Sequence, residues 1–194
     1  MRIYTARGDT GQTDLLGERV EKDDPRIDAI GTLDETTSSI GFGRALAQVA
    51  ATNDRLKTVQ RDLYQVMAEL AFTDETRPDS LHFTADRTAW LEAELDILST
   101  EIELPREFVL PGETASGAAL DIARTVSRRA ERQAVALTRQ GVIGNPEIVR
   151  YLNRLSSLLF MLARAEDLHA TGHLELAEQD ASPAELAPRE RGLL

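Results

Sequence analysis

Four arginines in one helical stretch, Arg124, Arg128, Arg129 and Arg132 of AALDIARTVSRRAERQAVALTR (residues 118–139), are the side chains best suited to hold a polyanion. A guanidinium group is planar, permanently charged and carries paired donors that match phosphate oxygens. At 3.6 residues per turn, Arg124, Arg128 and Arg132 drift slowly around the axis and form one cationic stripe, with Glu131 beside it. A second stripe, Leu120, Ala123, Ser127, Ala130, Ala134 and Leu137, is small or apolar and belongs to a core packed closely on a neighbouring helix. Like charges on one side of a helix repel unless anions stand opposite. Two readings follow. One is a solvated face with partners such as Glu131 and Asp121, each exposed pair worth roughly 0–1 kcal/mol; the other is a site for a nucleotide phosphate.

A second candidate lies at the start of the chain. Residues 3–24, IYTARGDTGQTDLLGERVEKDD, do not read as helix, and Gly8, Gly11 and Gly17 let the backbone turn its N–H groups toward an anion. Thr5, Thr10 and Thr13 add hydroxyl donors. No Gly-Lys-Ser/Thr follows, so the stretch is not a Walker A loop, and by itself it is equally a flexible arm.

These groups need elements to position them, and the rest of the 194 residues supplies helices. Asp24-Pro25 caps a first helix to about Ala50, with Ile27, Ile30, Leu33, Ile40 and Leu46 inward and Gly41 and Gly43 suited to close approach. Asp34 on it is either a solvated acid or the partner of a stripe arginine. A second helix spans about 53–72 and a third, after Thr84, about 85–103, with Trp90 read as core. LPREFVLPGETAS (104–116) breaks the pattern but keeps an apolar centre at Phe108, which must cover something near the arginines. Asn145-Pro146-Glu147 starts a fifth helix to about Ala170, interrupted by Asn153 and Arg154. The expected architecture is all-α: a five-helix bundle, four-helix-bundle-like with ferritin-like up-down packing, and a glycine-rich N-terminal arm. One domain covers 1–170, arm 1–24 and bundle 25–170, and an acidic tail, 171–194, is expected to be flexible.

Composition excludes several functions. The net charge of −11 argues against nucleic acid as a partner, and no apolar run approaches a membrane span. Cysteine is absent, which removes thiolate chemistry and fits a cytoplasmic location. Lys22 and Lys57 are the lysines, and the acidic, arginine-based surface suits a high-salt cytoplasm. Glu166 to His169 has the Glu-x-x-His spacing of di-iron bundles, which need two such motifs. His82 and His173 fall in loop or tail contexts, and no Gly-x-Ser-x-Gly elbow is present.

The order YTARGDTGQTDLLGERVEKDDPRIDAIGTLDE, then FVLPGETASGAALDIARTVSRRAER, then NRLSSLLFMLAR resembles the PduO-type ATP:cob(I)alamin adenosyltransferases over roughly residues 3–165. The resemblance implies a five-helix bundle, usually a homotrimer with sites between subunits. It implies transfer of the 5'-deoxyadenosyl group of ATP to the cobalt of cob(I)alamin, with triphosphate as the leaving group and Mg2+ on the phosphates rather than on protein side chains. Thr5, Ala6, Arg7, Gly8, Thr13 and Lys22 then correspond to the arm around the phosphates, and Arg128, Glu131, Arg132 and Asn153 to the nucleotide contacts of the bundle. Asp34 and Arg124 correspond to an ion pair across the subunit interface. Phe108 and Arg128 correspond to catalytic positions, Phe108 shielding the lower corrin face and displacing its axial base. A cobalamin reductase and an adenosylcobalamin-dependent enzyme such as a mutase are the implied partners.

The sequence departs from that pattern at three places. Ala6 stands where a basic residue is common, with Arg7 displaced by one; Glu113 stands where a second glycine is common, and Ser157 where Asp is common. The rival readings are a nucleotide- and corrinoid-binding carrier or sensor, which would release no triphosphate, and a purely structural acidic bundle, which would show no ATP-dependent protection.

Overall fold

The computed structural model describes Tyr4, residues 6–73 and residues 76–177. Among them are five long helices: α1 (Pro25–Leu46), α2 (Ala50–Leu70), α3 (Ala85–Glu101), α4 (Ala115–Arg139) and α5 (Pro146–Thr171). The glycine-rich arm before them folds as a hairpin, β1 (Gln12–Leu15) and β2 (Glu18–Glu21), with Thr13 opposite Val20. Gly17 in its tight turn has φ 109°, a left-handed conformation that a side chain would strain. The all-α expectation holds for the bundle, and this small sheet is added to it.

The proline starts fall where local chemistry places them. Asp24 accepts a hydrogen bond from the Arg26 N–H at 2.8 Å, and Asn145 accepts one from the Glu147 N–H at 3.0 Å. Helix α1 ends at Leu46, short of Ala50, because a long-range partner closes the corner. The Gln48 and Val49 N–H groups donate to the buried Glu166 carboxylate of α5, at 2.8 and 3.2 Å, which satisfies donors at the start of α2. Glu166 is therefore engaged at a helix start.

Helix α4 packs between α1 and α5; α2 lies against α1, and α3 against α5. Ion pairs from Arg55 to Glu94 (2.6 Å) and from Arg87 to Asp62 (3.1 Å) join α2 to α3. The apolar stripe of α4 is buried throughout, and α1 admits it closely at a glycine: a Cβ added at Gly43 would lie 2.8 Å from Leu120 Cδ2. Trp90 is half-buried at the edge of the core.

One carboxylate lies deep between helices. Asp62 accepts from the Tyr151 hydroxyl at 3.0 Å and pairs with Arg87, yet burial outweighs both and raises its pKa. The same burial, with the Asp62 charge beside it, pushes Tyr151 well above its ordinary value. A raised folded pKa means that Asp62 contributes stability that is full below the ordinary carboxylate range and is lost as pH rises through the folded value. Asp62→Asn should therefore gain on the wild type as pH rises from about 4. Urea midpoints measured across that interval test this, and parallel curves for the two proteins would count against it.

Past α5 the chain stays attached. Gly172 turns it with φ 76°, and Leu176 then bridges antiparallel to Val109. The expected loose tail is thus held as far as Ala177, and 178–194 lie outside the described residues.

Candidate active site

The arginines of α4 separate into two kinds. Arg124 gives its Nε to Asp121 at 2.9 Å and Arg129 hydrogen-bonds Glu35 of α1, so local carboxylates account for both. Arg128 and Arg132 are exposed and have no ion-pair partner among the described residues. Beside them Glu131 accepts from Asn153 Nδ2 at 2.9 Å, which sets the amide of α5 against α4. Arg128, Glu131, Arg132, Val135, Arg139 and Asn153 line a recess of about 480 Å3. Arg128 also borders a second recess of about 490 Å3, where Arg124, Ser156, Ser157 and Phe160 meet Leu95 and Ser99 of α3. Arg128 therefore stands on the ridge between a polar hollow and a more apolar one.

The arm gathers its own group. Ala6 is left-handed (φ 59°), an uncommon conformation for a residue with a side chain, and it turns the chain into the glycine segment. Arg7 presents its carbonyl to Arg19 Nη2 at 2.7 Å. Lys22 lies over Gly8, where an added Cβ would come within 3.0 Å of its Nζ, and the Lys22 N–H donates to Gly11 O at 2.8 Å. A larger residue at Gly8 would displace that ammonium. Lys22 lines a recess of about 580 Å3 with the first turns of α1, and Thr13 is half-buried in β1. Thr5 lies outside the described residues.

Within the chain the structure brings Ala6, Arg7, Gly8 and Lys22 together, and separately Arg128, Glu131, Arg132 and Asn153. The two recesses share no lining residue. Asp34 is exposed on α1 without an ion pair among the described residues, and Arg124 meets Asp121 rather than Asp34 inside the chain. No three His, Cys, Asp or Glu among the described residues converge to hold a metal.

Phe108 is 85% exposed, but its backbone is pinned on both sides. The Ala177 N–H donates to Phe108 O at 2.8 Å, and the Leu110 N–H donates to Glu175 O at 2.9 Å. Glu113 reaches His173 Nε2 at 3.4 Å. The far end of the loop is gripped by Asp167, whose Oδ1 accepts from the Thr114 N–H at 3.1 Å and its hydroxyl at 2.7 Å. Sequence reasoning named Asp121 only as a local partner of the arginine stripe and passed over Arg164 and the role of Asp167. The signal was present: Arg164 follows an apolar run in LLFMLAR, and a cation on a core face requires buried anions.

Known proteins match this architecture. Residues 3–166 match the cobalamin adenosyltransferase family model. A corrinoid adenosyltransferase of Bacillus subtilis is 38% identical over 170 residues, covering 84% of this chain and 86% of that one. A PduO corrinoid adenosyltransferase of Salmonella typhimurium is 38% identical over 172 residues, covering 88% of this chain but 51% of that one, so the chain spans about half of its length. Among solved structures, a phenylalanine-to-alanine variant of the PduO-type ATP:corrinoid adenosyltransferase from Lactobacillus reuteri, complexed with cobalamin and ATP, superimposes with a TM-score of 0.84. It is 33% identical, and the match covers 91% of this chain and 99% of that one. The chain belongs to the cobalamin adenosyltransferase family. Within that family it is of the PduO type.

Proposed function

We propose that this chain transfers the 5'-deoxyadenosyl group of ATP to the cobalt of cob(I)alamin. The cobalt electron pair forms the bond to C5', the C5'–O bond breaks, and its electrons leave on triphosphate. The observation that carries the reading is the pair of unpartnered guanidinium groups, Arg128 and Arg132, beside the Glu131–Asn153 bond on a protein of net charge −11. On so acidic a chain, cations left without carboxylates call for an external anion. Cob(I)alamin is itself the nucleophile, so the protein needs no general base; it positions the reactants and stabilises charge on the departing phosphates. Lys22 and the Gly8 turn supply the second cationic group. Mg2+ would take its ligands mainly from phosphate oxygens and water, in keeping with its usual habit at nucleotides.

The separation of the two half-sites supports a homotrimer in which the arm of one subunit faces the α4 recess of the next. Exposed Phe42 on α1 and Ile122 on α4, with unpaired Asp34 between the first turns of α1 and Phe42, offer such an interface. Arg124, its Nε held by Asp121, retains its Nη groups for Asp34 of the partner subunit. Arg124→Ala should then lower the trimer fraction in light scattering more than it weakens ATP binding, and an unchanged trimer would remove it from the interface. No described helix is long and apolar enough to cross a membrane, and the lack of cysteine fits a cytoplasmic enzyme served by a cobalamin reductase and serving an adenosylcobalamin-dependent mutase.

The deciding experiment mixes the protein anaerobically with reduced cob(I)alamin, Mg2+ and ATP in high salt, following adenosylcobalamin by its spectrum and assaying triphosphate. Both products should appear in proportion to protein. ATP binding without a cobalt–carbon bond would leave a carrier or sensor instead. Phe108→Ala should keep ATP affinity and lose turnover when the assay starts from cob(II)alamin plus a reductant; equal loss of both would count against shielding of the corrin face.

A further inference from the structure

The side chain of Arg164 is 1% exposed, yet it is a permanent cation in the middle of the bundle. Its Nη2 donates to Asp121 Oδ2 at 2.5 Å and lies 2.9 Å from Asp167 Oδ2, with the guanidinium 5.2 Å from the centre of the Phe160 ring. Each carboxylate gives its other oxygen to a second partner. Asp121 Oδ1 accepts from Arg124 Nε at 2.9 Å, and Asp167 Oδ1 accepts twice from Thr114. A continuous chain of alternating charge thus runs from Thr114, where the Phe108 loop ends, to Arg124 and the recess it lines.

Stability alone does not account for this arrangement. Burying ions costs desolvation that well-packed apolar residues of similar size would avoid. Nor does the start of α4 require it, because the Thr114 hydroxyl already accepts from the Gly117 N–H at 2.9 Å. What the chain provides is a tie from α5, through Arg164 and Asp167, to both the N-cap and the second and third turns of α4, the helix into which the Phe108 loop runs. Gly117 is a condition of that geometry: a Cβ there would overlap the Asp167 carboxyl. Phe160, beneath Arg164, is itself a wall of the recess that Arg124 lines, so the same cation also backs that wall.

We infer that Asp121, Arg164 and Asp167 are positioning residues that clamp the start of α4 to α5 and so hold the end of the Phe108 loop, keeping the aromatic shield in a fixed place against the two helices when it faces the corrinoid. The inference rests on the adenosyl-transfer reading of Phe108. It distinguishes this network from the nucleotide contacts, which lie on the outer side of α4 and do not depend on it.

Two variants displace the network without touching those contacts. Gly117→Ala drives Asp167 from its place and leaves every charge present, while Thr114→Val removes the hydroxyl bond to Asp167 together with the cap bond from the Gly117 N–H, and Thr114→Ser restores both. The readouts are ATP affinity, turnover with cob(I)alamin, and the visible spectrum of bound cob(II)alamin, which reports whether the axial base is displaced. In the folded variants ATP affinity should stay within about twofold, while the base-displaced population and turnover fall about tenfold, the scale of losing one hydrogen bond to a charged group. Thr114→Ser should return both toward wild type. Unchanged spectrum and turnover in Thr114→Val would overturn the inference, and so would a parallel loss of ATP affinity, which signals general loosening. Should Gly117→Ala fail to fold, Thr114→Val decides. A wild type that forms no adenosylcobalamin would sink the functional reading first, whereas an active wild type with indifferent variants sinks this inference alone.

Discussion

Arg164→Ala should destabilise the protein by about 3–5 kcal/mol, the loss expected when one partner leaves a buried ionic group. The variant leaves Asp121 and Asp167 facing one another across the hole that the guanidinium vacates, each less than a tenth exposed. Nothing else neutralises Asp167 among the described residues; Asp121 keeps only Arg124. For a chain of this length each kcal/mol shifts the melting temperature by roughly 2–4 °C, so thermal melts should fall by well over 5 °C. A loss under about 1 kcal/mol would mean that water reaches the site freely, and the network would then be an ordinary surface cluster.

The second large effect is expected at Arg128. Removing a preorganised cation from a developing charge commonly costs about 10²–10³ in turnover, and under the proposed reaction Arg128, which borders both hollows of the α4–α5 face, is that cation. Arg128→Ala should lower kcat/KM by that amount with helical content unchanged, since the side chain is exposed and holds no internal partner. Arg128→Lys should recover part of the charge effect but not the forked geometry, and so fall between the two. Steady-state kinetics beside calorimetric ATP titration would separate the losses. Turnover within about threefold of wild type would move the catalytic cation to Arg132.

How far these residues could be read from the sequence depends on the range of the interaction that fixes them. Helix starts at Asp24-Pro25 and Asn145-Pro146 were legible because capping is made within a turn of the chain. The buried stripe of α4 was legible because it follows the helical period. Which arginines are free was only half legible: Asp121 stands three residues before Arg124, but Glu35, which takes Arg129, comes from α1 and no spacing announces it. The corner at Gln48 stayed hidden for the same reason, its anchor being Glu166 far along the chain. The hairpin was too short to declare a period of two among glycines and threonines. Ala6, Arg7, Gly8 and Lys22 lie near one another in the arm and Arg128, Glu131, Arg132 and Asn153 around the α4 recess, while Asp34 and Arg124, expected to pair between subunits, do not meet within the chain.

The strap from His173 to Ala177 grips the Phe108 loop through main-chain N–H and C=O groups at Phe108, Leu110, Glu175 and Ala177. Such a grip carries almost no alphabet. Drift at these positions is cheap so long as no proline removes the N–H of Ala177 or Leu110, whereas the distance from the left-handed Gly172 to Glu175 is fixed by geometry. One residue inserted there would turn the alternation over and present the wrong edge to the loop. Selection on this segment therefore acts as a ruler rather than as a text: relatives sharing the mechanism should differ freely in letters between α5 and the bridge, and agree in count.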